Sequence, residues 1–296
     1  GLDYEVLRGA NPRLVYASLR GFGDKRGGAS HYAGWPAYDP VAQAMGGIMG
    51  ITGPVPSGPP TKIGPGIGDI APAMFLAFGI ASACWRAQRT GQGQYVDVGM
   101  VDSVLAVCER LVYQYSATGK IPGPEGNGHP LLCPFGLFEA KDGYVSLGIP
   151  RDEFWQTFAE LIGQPELATD PRYALAEHRL ERRREVDAIV TQWTSVRTKA
   201  EITAVLGGQV PFGPVLDARD IFEDPHFQQR AMLVEVEQPG ADRKLTIANT
   251  PIRMIDTPGG VRRRAPLIGE HSDRILAEFG YTTEQRQQLR DAGAIA

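Results

Sequence analysis

The stretch Gly64–Asp69, GPGIGD, leads three glycines and a proline into a lone carboxylate at the mouth of an apolar run. Two chemistries fit Asp69. An aspartate before a helix can cap it through its side-chain oxygens. A carboxylate beside a helix N-terminus can also act as a nucleophile, with free N–H groups and the positive dipole end to hold an anion or an oxyanion. Gly64, Gly66 and Gly68 let a ligand approach the backbone closely. The segment is not a dinucleotide fingerprint, because no strand precedes it. Three cysteines, Cys84, Cys108 and Cys133, form no C-x-x-C pair, and the five histidines are scattered, so no metal site is expected. A second glycine-rich stretch, Gly119–Pro130, holds Gly126, Asn127 and Gly128, and reads as an interdomain linker or a mobile loop.

The elements that must position these residues alternate. Leu2–Pro12 reads as a short helix capped by Asp3, and Arg13–Leu19 as a strand ending in the turn RGFGD. Tyr38–Gly50 reads as a helix with Asp39 as cap and Pro40 in the first turn. From about Asp69 to Thr90, Ile70, Met74, Phe78, Ala81 and Trp85 recur at helical spacing, which predicts a core helix ending at Gly91. The strand GQYVDVGM and a helix over Val101–Thr118 follow. This alternation predicts a doubly wound α/β unit with a mainly parallel sheet. Beyond Leu131 the pattern changes to a hairpin around KDG, a helix-rich stretch, two or three antiparallel strands and two closing helices. The expected fold is α/β: a large domain over 1–118, a linker over 119–130, a smaller α+β domain over 131–240 and a C-terminal segment over 241–296 that returns to the large domain.

The chain has 296 residues, 43% apolar and 22% charged, with a formal net charge of −4. That balance argues against a nucleic-acid binder. The apolar run Ile70–Trp85 is shorter than a bilayer span and contains Pro, Gly and Ser, so a buried helix rather than a membrane segment is expected. Sparse, unpaired cysteines point to a reducing compartment and a cytoplasmic location. The opening at Gly1, in the middle of a helix-like segment, reads as a fragment or a processed chain.

The segments YDPVAQAMGG, GDIAPAMFLAFGIASACWRAQRTGQGQYVDVGMVDS, GPVLDARDIFEDPHFQQR and RAPLIGEHSDRIL resemble the family III CoA-transferases, of the carnitine dehydratase and bile-acid-inducible F type, in order and over essentially the whole chain. The resemblance implies an incomplete Rossmann-like large domain, lacking the family's N-terminal part, with a smaller α+β domain. It implies transfer of coenzyme A from an acyl-CoA to a carboxylic acid, with Asp69 as nucleophile, through a mixed anhydride and an aspartyl-CoA thioester. Coenzyme A and acyl-CoA are then substrates, with no permanently bound cofactor and no metal. Arg20, Phe22 and Met100 fall at positions that contact CoA in relatives. Their plain readings are a surface arginine, a residue lacking the tyrosine hydroxyl of some relatives, and a core methionine. Gly126, Asn127 and Gly128 would belong to a loop that excludes water. Relatives form interlocked homodimers, so a homodimer is expected, and the shortened chain is expected to expose apolar surface where the missing strands belong. The alternative within the resemblance is an α-methylacyl-CoA racemase. It needs a base on each face of the α-carbon, but Tyr38 stands where those enzymes carry His, and Arg151 in the second slot, with Asp152 and Glu153 close by. A truncated, inactive chain is the non-enzymatic alternative. His271 reads as a structural residue at the cap of the tail helix.

Overall fold

Tyr16–Arg20 (β1) and Tyr95–Gly99 (β2) lie parallel, in register from Tyr16 opposite Tyr95 to Arg20 opposite Gly99. The computed structural model describes residues 1–296. The expected parallel pairing is present, with two strands. Gly93 explains the glycine-containing entry to β2: a Cβ there would sit 1.9 Å from the Leu14 carbonyl oxygen, so a side chain would separate the strands.

The chain divides into two compact units, Gly1–Val215 and Leu216–Ala296. The first unit opens with α1 (Tyr4–Ala10), capped by Asp3 as expected. The region expected to be one helix from Tyr38 is two, α2 (Asp39–Met45) and α3 (Ile48–Ile51), broken where Gly47 turns left-handed. Next comes α4 (Ile67–Thr90). The helix expected over Val101–Thr118 is interrupted at Cys108, giving α5 (Met100–Val107) and α6 (Glu109–Thr118). Ala42, Met100, Val104 and Cys108 form a small buried cluster joined by Ile48, Ile51, Val101 and Leu111.

The packing of α4 corrects the core reading of its apolar stripe. Its buried residues are small: Gly68, Ala71, Pro72, Ala83 and Ala87. This side packs against β1, β2, α2 and α5, and an added Cβ on Gly79 would lie 2.9 Å from the Val96 side chain. The periodic stripe expected inside faces out, with Met74 67% and Phe78 76% exposed. Periodicity identifies an apolar face but cannot tell which of two apolar faces an adjoining sheet takes, and here the smoother one wins because backbones can approach it. The 24-residue helix extends beyond the Ile70–Trp85 apolar run and, contrary to the expectation from that run, is long and apolar enough to cross a membrane by length and composition.

A second buried cluster lies later in the same unit. Phe135–Ala140 (β3), Gly143–Gly148 (β4) and Phe212–Pro214 (β5) form an antiparallel sheet in that order. The expected KDG turn joins β3 to β4. Helices α7 (Asp152–Leu161), α8 (Ala176–Glu181), α9 (Arg183–Thr194) and α10 (Lys199–Leu206) accompany it. Val145, Leu147, Trp155, Phe158, Val186 and Ile202 are fully buried together. Arg179 is buried among them and fully satisfied. Its guanidinium donates to the carbonyls of Cys133, Tyr173 and Ala174 and pairs with Asp152 at 2.9 Å.

The second unit contains α11 (Ala218–Glu223) and α12 (Pro225–Gln229), an antiparallel pair β6 (Leu233–Val236) and β7 (Leu245–Ala248), and helices α13 (Ser272–Glu278) and α14 (Thr283–Asp291). The antiparallel strands and closing helices are where the sequence pattern puts them. His271 is the N-cap residue of α13. Arg264 grips Glu270 with two nitrogens and holds its carboxyl down at about 2.

The thiols give a direct check on packing. Cys84 is exposed, whereas Cys108 and Cys133 are buried. Burial pushes the Cys133 thiol up to about 12, with Asp187 adding to the shift. Iodoacetamide at pH 8 is expected to alkylate Cys84 alone in the folded chain and all three cysteines in urea, read by intact mass.

Candidate active site

Asp69 is the third residue of α4, and the N-cap is Gly66. The side chain makes no capping hydrogen bond and stands exposed. The capping reading therefore does not describe it. The expectation of free N–H groups beside it also fails. Ile67 N–H donates to the Pro65 carbonyl, Gly68 N–H to Asp39, and Asp69 N–H back to the Gly66 carbonyl. What remains to favour negative charge is the dipole of a long helix.

Asp39 takes over the capping role that Asp69 does not fill, by accepting the Gly68 N–H. It was expected to cap its own helix, but Tyr38 is the N-cap and Asp39 the first helical residue. Its buried carboxylate accepts from Gln43 Nε2 at 2.9 and 3.0 Å and from Gly68 N–H at 2.9 Å, with Lys62 Nζ 3.5 Å away. The Gln43 hydrogen bond first, then Gly68 N–H and Lys62, hold the Asp39 carboxyl below the usual range, against burial, which pushes it up. Gln43 also accepts from Ile63 N–H, and Lys62 donates to the carbonyls of Ile63 and Gly64. The glycine-rich approach to Asp69 is thus fastened to the first turn of α2. Gly68 must lack a side chain, because a Cβ there would lie 2.7 Å from the Asp39 carbonyl oxygen and 3.0 Å from the Ala42 Cβ. The point a Cβ would take on Gly66 lies 3.8 Å from both an Asp39 and an Asp69 oxygen, so the two carboxylates flank one glycine. The signal for this network was the four-residue spacing of Asp39 and Gln43 on one helix face.

At the carboxyl ends of β1 and β2 lies a cleft of about 570 Å³, lined among others by Phe22, Gly23, Ser30, Met45, Asp97 and Asp102. Asp97 accepts the Asp24 N–H with both oxygens and so fixes the turn after β1. This is where an open α/β sheet binds ligands. Phe22 is buried against Tyr32 and Trp35. Arg20 is exposed and pairs with Asp24 at 3.5 Å. Met100 is buried in the cluster with Ala42, Val104 and Cys108. Helix α2 links cleft to carboxylate: Met45 lines the cleft from one end and Asp39 grips Gly68 from the other. Seven helical residues span about 10 Å.

Gly126, Asn127 and Gly128 belong to a segment held at both ends. Glu125 bridges to Pro56, and Ser57 N–H donates to the Pro124 carbonyl, on the chain leading to Asp69. Arg183, missed in the sequence, donates to the carbonyls of His129 and Leu132. The racemase candidates fare differently. Tyr38 is 78% exposed and offers no imidazole, and Asp152 is occupied by Arg179.

A family model described as CoA-transferase family III matches residues 1–272. The chain belongs to that family. The transferase is 47% identical over 283 residues to the succinyl-CoA:mesaconate CoA-transferase of Haloarcula marismortui, covering 95% of this chain and 70% of that protein. It is 35% identical to the succinyl-CoA–D-citramalate CoA-transferase of Chloroflexus aurantiacus, covering 96% of this chain and 70% of that protein. Among solved structures, a CaiB/BaiF family protein from Brucella suis superposes with a TM-score of 0.78 at 33% identity, covering 94% of this chain and 71% of the other.

Proposed function

We propose that the transferase moves coenzyme A between a short acyl-CoA and a carboxylic acid through covalent intermediates on Asp69. The observation that carries this reading is an unpartnered carboxylate in the first turn of a long helix, beside a second carboxylate that is fully engaged in holding that turn. An Asp69 oxygen attacks the thioester carbonyl, and the carbon–sulfur bond breaks to give a mixed anhydride and CoA thiolate. The thiolate attacks the aspartyl carbonyl, releasing the donor as its carboxylate and leaving an aspartyl-CoA thioester. The acceptor carboxylate then attacks that thioester and expels thiolate. The thiolate attacks the acceptor carbonyl, frees Asp69 and completes the new thioester. No proton or electron is consumed. Water is the competing nucleophile, and the loop at Gly126–Gly128 is proposed to exclude it, a reading its neighbours' contacts with Pro56 and Ser57 support.

The relatives support succinyl-CoA as donor and a small dicarboxylate as acceptor. The cleft at the strand ends is proposed to take the CoA moiety, with Phe22 in its wall, Arg20 at its rim and Met100 beneath it. Two separate apolar clusters, on either side of residues 119–130, support reading that segment as the joint between domains. The outward apolar stripe of α4 supports a homodimer, and three free thiols support a cytoplasmic location.

Trapping with hydroxylamine tests the mechanism. Incubation with succinyl-CoA and hydroxylamine is expected to leave a hydroxamate on the peptide containing Asp69, found by mass spectrometry. An unmodified Asp69 in a chain that turns over fully rules the mechanism out.

A further inference from the structure

Arg183 and Asp187 lie one turn apart on α9, beside the loop that carries Gly128. A Cβ on Gly128 would be 3.2 Å from an Arg183 guanidinium nitrogen. Asp187 lines a cleft of about 200 Å³ with Asn127, Gly128, Phe135, Gly136 and Thr191. The guanidinium is committed to the loop, donating to the His129 and Leu132 carbonyls. The Asp187 carboxyl accepts a hydrogen bond from the Cys133 thiol at 4.0 Å, and the Arg183 charge acts on it without a direct ion pair. The loop is tight elsewhere as well: a Cβ on Gly136 would be 2.6 Å from the Asn127 carbonyl oxygen.

We infer that Arg183 is a positioning residue that latches the Gly126–Leu132 segment, and that Asp187 is the alternative partner that takes the guanidinium when the segment lifts. A carboxylate four residues along a helix is within reach of an arginine. Burial pushes the Asp187 carboxyl up and the nearby guanidinium draws it down, so closer pairing would favour its charge. The two arrangements exchange carbonyl acceptors for a carboxylate, which keeps the guanidinium satisfied in both. This inference rests on the reading of Asp69 only in assigning the latch a role in excluding water.

The test uses the full chain and a glutamate-specific protease, which can cut the Glu125–Gly126 bond at the start of the segment. Cleavage follows the population of the open form when closing is fast. Arg183→Met is expected to speed cleavage at Glu125 about tenfold, since it removes two charge-assisted hydrogen bonds, with Glu278 cleavage unchanged as internal control. Asp187→Asn is expected to slow it. In transfer assays Arg183→Met should raise the share of succinyl-CoA lost to hydrolysis. Unchanged cleavage at Glu125 in folded Arg183→Met overturns the latch, as does faster cleavage in Asp187→Asn. If Arg183→Met does not fold, Asp187→Asn decides alone: slowing supports the latch, and no change or speeding overturns it. Transfer surviving loss of Asp69 would instead defeat the mechanism and leave the cleavage result standing.

Discussion

Asp69→Ala is expected to lower CoA transfer by at least about 10³-fold, because it removes the atom that carries the acyl group. Asp69→Asn is expected to do the same, since an amide oxygen does not form the anhydride. Neither change should shift the unfolding midpoint appreciably. The Asp69 side chain makes no capping hydrogen bond and is exposed, and exposed substitutions away from special features stay within about ±0.5 kcal/mol. A large loss of turnover with unchanged stability separates a chemical role from a structural one. Steady-state transfer from succinyl-CoA and a urea titration measure the two quantities. Undiminished transfer in Asp69→Ala would reject the mechanism outright.

Asp39 carries the opposite prediction. Asp39→Ala leaves Gly68 N–H and the Gln43 amide without their acceptor and Lys62 without its counter-charge. The loss of stability is expected to be about 1–3 kcal/mol, and turnover should fall as well because the first turn of α4 is no longer fixed. Asp39→Asn keeps an acceptor for Gly68 and should be milder. The acid dependence follows from the lowered folded pKa. Unfolded, this carboxyl titrates near 3.8; folded, it titrates lower. Its contribution is therefore complete above that ordinary value and disappears as the pH falls through the folded one. The stability gap between the native chain and Asp39→Asn should be constant near neutrality and close in acid. A gap that widens in acid contradicts the network.

Much of this was legible beforehand, and the misses have physical causes. The strands Tyr16–Arg20 and Tyr95–Gly99, the Asp3 cap and the KDG hairpin follow from local signals, and they stand where those signals put them. Asp69 was legible as a carboxylate at a helix start. Its freedom from capping was not, because the cap position depends on where Gly66 turns, and on Asp39 reaching across from another helix to take the Gly68 N–H. That contact joins residues 29 apart, which no local pattern encodes. Arg183 sits in a run of three arginines, Arg182–Arg184, and only the returning segment at His129–Leu132 distinguishes it. The breaks at Gly47 and Cys108 divided helices that the apolar pattern alone would continue.

Helix α4 buries Ala71, Ala83 and Ala87 on the side that packs within its own unit and leaves Met74, Phe78 and Trp85 exposed. The two sides should therefore tolerate change in different ways. Enlarging Ala83 or Ala87 would push strands apart and injure a single molecule in dilute solution. Trimming Phe78 or Trp85 would leave that molecule whole and alter only what it adheres to, so crowding, concentration and surfactant should expose variants that a melting curve passes over.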